Sequence, residues 1–167
     1  MTFKPIITSI LVLLAGSYLS GQSVQTVVQT GHYAAVTAVC YSSDGKLIAT
    51  GSTDKTVKLW RRSDGREIRT YKGSASGIRG LSINLQTTLI LAVGGNGSVV
   101  IWDLNTGEII RELDPDADRF TCAAFHPDGT RVVTGSYKSF ISVWDIKSGQ
   151  KVMDFKAIPA EHEYAKG

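Results

Sequence analysis

Trp60, Trp102 and Trp144 stand 42 residues apart, twice over. A fixed interval of this size limits the fold severely. A chain that repeats itself builds one supersecondary unit several times and must bury a face of each unit against the next. The rest of the sequence keeps the interval without a gap. Val36-Thr37-Ala38-Val39-Cys40-Tyr41 falls on Ile78-Arg79-Gly80-Leu81-Ser82-Ile83 and on Phe120-Thr121-Cys122-Ala123-Ala124-Phe125. Asp44-Gly45 returns as Asp128-Gly129, and Gly65, Gly107 and Gly149 coincide.

Each unit contains four short runs rich in β-branched, aromatic and aliphatic residues, such as Val57-Lys58-Leu59-Trp60. In the first unit they are separated by Ser43-Asp44-Gly45, Thr53-Asp54-Lys55 and Ser63-Asp64-Gly65. Short runs bounded by Gly, Asp and Ser are strand and hairpin signals. No long apolar stripe at helical spacing follows residue 30. The expected fold is all-β: four antiparallel strands per unit in meander order, each unit a β-propeller blade. Blades are expected over residues 31–72, 73–114 and 115–156, with an extra strand over 24–30. Propellers have about 4–8 blades, so three consecutive blades make an open arc, an incomplete propeller. Its two uncovered faces would associate with copies of the chain if the chain were complete.

Gly31-His32, GSTDKTVKLW ending at Trp60, Ile101-Trp102-Asp103 and Val143-Trp144-Asp145 resemble WD-repeat blades, and the resemblance covers residues 24–157. It implies a ring of blades that binds other macromolecules and performs no chemistry. It also implies a buried network in each blade of Trp, Ser or Thr, His and Asp. Spacing rebuilds the logic: a turn at Asp54-Lys55 puts Trp60 opposite about Thr50. A buried indole N–H needs an acceptor. Thr50 can accept it, His32 can take the hydroxyl proton, and Asp54 can orient the imidazole. The second unit keeps only Trp102, with Ser74, Ala92 and Asn96 at the other positions. The third keeps Thr134 and Trp144, with Asp116 and Lys138 elsewhere, and the first has Arg61 where the family has Asp after Trp.

His, Asp and Thr together invite a catalytic reading, but the resemblance assigns His32, Thr50 and Asp54 to packing. No catalytic residue, cofactor or metal site is expected. His126 sits in the turn Phe125-His126-Pro127-Asp128-Gly129 and His162 in the tail, and no Cys pair has ligand spacing. Gly94-Gly95-Asn96-Gly97 reads as a tight hairpin turn, since no helix follows it to cradle phosphate. Hydrolysis inside the propeller is disfavoured as well, because Arg79 is the one charged residue on the first strands that would line its channel.

Residues 1–21 stand outside the repeat. Lys4 is the only charge before Asp44, a short apolar core follows it, and small residues come next. This is the pattern of a secretory signal peptide, cut after Ser17 or after Gly21. The apolar core is shorter than the roughly 20 residues a membrane span needs. Export to a periplasm or the extracellular space is expected, and an exported WD-repeat chain resembles the front portion of a longer bacterial protein. Residues 158–167 read as a linker or the start of a further blade.

The net charge of +3 is too mild to indicate nucleic acid. Lys55, Lys58, Arg61, Arg62, Arg66, Arg69 and Lys72 crowd into one short stretch of the first unit. They read as a solvated blade edge protected against strand pairing, and Arg61, Arg62, Arg66 and Arg69 also as a candidate surface for an acidic protein or anionic polysaccharide. Cys40 and Cys122, a blade apart, are expected as two buried free thiols. The function expected is a non-catalytic, exported, protein-binding scaffold. The alternative is the sensor or docking portion of a larger enzyme, such as a peptidase, with its catalytic domain beyond Gly167.

Overall fold

The computed structural model describes residues 31–114 and 119–157. The proposed leader, the extra strand at 24–30 and the tail at 158–167 lie outside the described residues. The strands are β1 (Val36–Tyr41), β2 (Leu47–Ser52), β3 (Val57–Arg61), β4 (Glu67–Tyr71), β5 (Ile78–Asn84), β6 (Leu89–Gly94), β7 (Val99–Asp103), β8 (Ile109–Leu113), β9 (Phe120–Phe125), β10 (Arg131–Ser136), β11 (Phe140–Asp145) and β12 (Lys151–Lys156). They form three separate four-stranded sheets, β1–β4, β5–β8 and β9–β12, each antiparallel and in sequence order. The architecture is the open arc of three blades that the repeat called for.

Blade 2 is covered on both sides. On β6 and β7, Ile90, Ala92, Val100 and Trp102 join Ala49, Val57, Leu59 and Tyr71 of blade 1 in one core cluster. The alternate residues Leu91, Val93, Val99 and Ile101 join Val132, Trp144 and Ile146 of blade 3 in a second. Successive strand residues point to opposite faces, so a strand buried on both faces reads as a continuous apolar run. That is why Leu89-Ile90-Leu91-Ala92-Val93 and Val99-Val100-Ile101-Trp102 are uninterrupted. Full burial of each large side chain stabilises by roughly 1.5–3 kcal/mol, and Trp102 is 0% exposed.

Close approach replaces side chains at the blade boundaries. A Cβ on Gly51 would stand 2.4 Å from Ile78 Cγ2. Near the axis, the Thr37 hydroxyl donates to the Ile78 carbonyl of the next blade. The outermost strand of every blade also carries one extra residue: Ile68, Ile110 and Val152 fall between paired positions and are exposed. A bulge repeated on each outer strand twists the edge away from pairing with other sheets.

Two expectations need correction. Cys122 is exposed and Cys40 only partly buried, both as free thiols. Cys122 belongs to β9, whose neighbour on one side would be a further blade, and nothing described covers it. Burial pushes the Cys40 thiol up to about 11. Lys58 is not solvated: it is buried, with its ammonium 2.9 Å from Glu67 Oε2 and 2.8 Å from Thr70 Oγ1.

The far face of blade 3 leaves Met153 56% and Phe155 46% exposed, while Val39 and Tyr41 are exposed on blade 1. Apolar faces of this kind associate. The 167-residue chain is expected to run larger than a monomer by light scattering, and Met153→Asp with Phe155→Asp should shift it toward monomer. A monodisperse monomer before substitution would refute this.

Candidate functional site

The candidate residues of blade 1 meet in one connected network. The Trp60 indole donates to Thr50 Oγ1 at 2.7 Å. Thr50 Oγ1 lies 2.8 Å from His32 Nε2, and His32 Nδ1 lies 2.9 Å from Asp54 Oδ2. One proton arrangement satisfies all of them: the Thr50 hydroxyl donates to Nε2, and Nδ1–H donates to Asp54. The strand register differs from the simplest expectation. Trp60 pairs with Ile48, and Thr50 with Lys58, so the indole reaches Thr50 diagonally, two residues along the neighbouring strand. Diagonal neighbours lie about 7–8 Å apart at the backbone, within reach of an aromatic ring.

Sequence spacing did not single out Thr56 and Tyr33, which complete the set. The Thr56 hydroxyl and backbone N–H donate to Asp54 Oδ1 at 2.6 and 2.9 Å. The Tyr33 backbone N–H donates to Asp54 Oδ2 at 3.2 Å, and its hydroxyl to the Asp54 carbonyl at 3.1 Å. Burial works to raise the Asp54 carboxyl, but the donors Thr56 and His32 outweigh it and hold the group at about 2. The side chains of His32 and Asp54 are only 4% and 0% exposed. Both imidazole nitrogens are engaged, so the ring has no free lone pair for a substrate and Thr50 has no free base beside it.

The other blades solve the same indole problem differently. Trp102 Nε1 donates to the Lys72 carbonyl at 2.9 Å, which makes a hydroxyl at Ala92 unnecessary. In the same blade Asn96 Oδ1 accepts from Ser76 Oγ at 2.8 Å and Ser98 Oγ at 3.0 Å. Ser74 Oγ donates to the Ser76 carbonyl at 2.8 Å. Trp144 Nε1 donates to Thr134 Oγ1 at 2.9 Å. Asp116 lies outside the described residues. The turn through Asn96 is the tight hairpin expected, with Gly97 at φ +88°. His126 is an exposed turn residue, its Nδ1 3.0 Å from Asp128 Oδ1.

The four arginines of the basic cluster differ in their surroundings. Arg61, Arg62 and Arg66 are exposed, and Arg61 pairs with Asp64 at 3.0 Å. Arg69 is engaged elsewhere: its Nη1 donates across the blade boundary to the Thr106 carbonyl at 2.9 Å. One period on, Arg111 does the same for blade 3, with Nε 3.1 Å from the Ile146 carbonyl and Nη2 2.5 Å from that of Lys147. Each arginine lies on a left-handed glycine. A Cβ on Gly107 or Gly149, at φ +80° and +74°, would stand 3.3 Å from the arginine Cδ. The signal was present in the sequence, as two arginines and two glycines each one repeat apart.

Comparison with known proteins gives a consistent picture. The WD domain, G-beta repeat family matches residues 21–61, 65–103 and 107–145. Pre-mRNA-processing factor 19 homolog 2 of Arabidopsis thaliana is 33% identical over 141 residues, covering 81% of this chain and 26% of that protein. Pre-mRNA-processing factor 19 of Bos taurus is 28% identical over 127 residues, covering 75% and 25%. The periodic tryptophan protein 2 homolog of Dictyostelium discoideum is 31% identical over 127 residues, covering 73% and 14%. The chain thus spans about a quarter of the length of the two processing factors. These relatives are eukaryotic and lend no support to a bacterial source.

The Asp54 network makes stability depend on acid. Its carboxyl is held at about 2 in the folded chain, against about 3.9 unfolded. The stabilisation, between about 2 and 3 kcal/mol, is therefore complete above pH 5 and mostly lost as the pH falls from 4 to 2. Urea unfolding across this range should show the loss, and Asp54→Asn should flatten it. At neutral pH, Thr50→Val should cost roughly 1–3 kcal/mol by stranding the Trp60 indole. An unchanged midpoint would remove Thr50 from the network's energetics.

Proposed function

This chain belongs to the WD-repeat family, and we propose that it serves as a non-catalytic scaffold that binds another protein. The observation that supports this most is the closure of the His32–Thr50–Asp54 network. Among the described residues, the His, Thr and Asp side chains that invite a catalytic reading are buried and internally satisfied, with both imidazole nitrogens in use. Function on such a chain lies in exposed turns held by rigid blades. The exposed turn of blade 1, with Arg61, Arg62 and Arg66, favours an acidic protein partner through electrostatic complementarity.

A role in pre-mRNA processing is what the names of the two processing factors state, and this chain covers too little of their length to inherit it. Those relatives also give no support to the alternative of a docking portion for a peptidase. For the scaffold, cross-linking in the source cells is expected to recover a defined protein partner in stoichiometric yield. Arg61→Glu with Arg66→Glu should reduce that yield. Recovery of nucleic acid alone would overturn the proposal.

We also propose export, on the strength of the charge and apolar pattern of residues 1–21. Terminal sequencing of the secreted chain should begin at Tyr18 or Gln22. An intact Met1 on a chain retained in the cytoplasm would overturn it.

A further inference from the structure

The turns between the first and second strands follow one pattern in blades 1 and 3 and depart from it in blade 2. Blades 1 and 3 turn through Asp44-Gly45 and Asp128-Gly129, with the glycines left-handed at φ +67° and +70°. Each aspartate is occupied by its own turn. Asp44 Oδ1 accepts from the Ser42 hydroxyl at 2.6 Å and the Lys46 N–H at 3.0 Å, and Asp128 Oδ1 accepts from the Thr130 hydroxyl and N–H, both at 2.8 Å. Blade 2 has Gln86-Thr87 at these positions. Its left-handed residue is Thr88, at φ +52°, where a β-branched side chain is strained. Thr87 Oγ1 is buried and has no hydrogen-bond partner among the described residues. A turn that carries both penalties is shaped by something besides stability.

Beside this turn lies a cavity of about 270 Å³, and every residue that lines it is described. Ile83, Leu85, Phe125 and Pro127 give it apolar walls from blades 2 and 3, and no Asp, Glu, Lys or Arg lines it. Blade 1 contributes Ser43. Hydrogen-bonding capacity remains around these walls. Among the described residues the side chains of Ser43 and Gln86 have no partner, and neither has His126 Nε2. Ser82 Oγ accepts from the Phe125 N–H at 3.4 Å, and its own proton has no acceptor among the described residues. Buried Asn84 places Nδ2 at 3.4 and 3.5 Å from the His126 and Pro127 carbonyls, which is long for such bonds.

We infer that this notch receives a tyrosine side chain of the partner polypeptide. The inference rests on the scaffold reading and gives that partner an anchor. Small-molecule pockets run to about 300–1,000 Å³, so this one suits a single large side chain. Apolar walls that include an aromatic and a prolyl ring match an aromatic body. Free hydroxyl, amide and imidazole groups match a phenolic hydroxyl, which donates and accepts at once. Phenylalanine would leave those groups without a partner, and a glutamate would meet no Lys or Arg in the lining. Aromatic anchors seated in pockets carry much of the energy of protein–protein binding. The notch also adjoins the basic turn, because the Arg62 N–H donates to the carbonyl of Lys46, close after Ser43, at 2.9 Å.

The test titrates N-acetyl-tyrosinamide into the isotope-labelled full chain and follows the backbone amides by NMR. Saturable shifts are expected from Ser82 to Thr87 and at His126, with the phenylalanine counterpart weaker by about threefold or more. Ser43→Ala with Gln86→Ala, at two exposed turn residues, should remove the preference for tyrosine. Lys156→Glu, on β12 and outside the lining, should keep it, and circular dichroism checks both variants. No saturable shift, shifts centred elsewhere, or a preference unchanged by the alanine pair would overturn the notch. Tighter binding of the glutamate counterpart would overturn the choice of tyrosine. Ser43→Trp places a bulky ring at the rim. Undiminished recovery of the cross-linked partner with that variant leaves the scaffold standing and sinks the notch as its anchor. If no partner is recovered from the parent chain, the scaffold reading falls and takes the partner's tyrosine with it.

Discussion

Successive side chains of β6 and β7 point to opposite sides of one sheet, and both sides are covered by another blade. Each neighbouring sheet is held by that contact, because a single four-stranded sheet this small has too little apolar surface of its own to offset the entropy of ordering it. The middle blade thus acts as the shared core of the array. Blades 1 and 3 each devote one face to it and leave the other with polar networks or exposed apolar residues. The His32–Asp54 network, the Lys58–Glu67–Thr70 cluster and the exposed Met153 and Phe155 all belong to these outer blades.

The repeat made the strands legible because its signals are local. Val36–Tyr41 and Leu47–Ser52 could be read from runs of β-forming residues and the turns between them. Contacts that depend on a neighbouring blade were not legible from one unit at a time. Arg69 looked like a free surface charge because its acceptor, the Thr106 carbonyl, is 37 residues away in the next sheet. Lys58 looked solvated because Thr70 lies opposite it only once β3 and β4 pair, and Glu67 joins that face only through the bulge in β4. Cys122 looked buried because its counterpart Cys40 packs against blade 2, whereas β9 has no described neighbour on the corresponding side.

A conserved requirement and a variable solution can be told apart within this one chain. All three tryptophans bury an indole N–H that must find an acceptor, and all three find one. Two use a threonine hydroxyl and one a backbone carbonyl. Among the described residues, only the first blade extends the arrangement through histidine to a carboxylate. The extension adds polar groups that must stay satisfied together, which rigidifies the region and leaves the imidazole no freedom to act as a base.

The arginine bridges have a polarity. Arg69 and Arg111 each reach toward the blade that follows in the chain, and neither acceptor exists until that blade has formed its last turn. An acceptor for each guanidinium is thus supplied by the wedge that comes later in the chain, so each boundary latch is completed only when two adjacent wedges stand together.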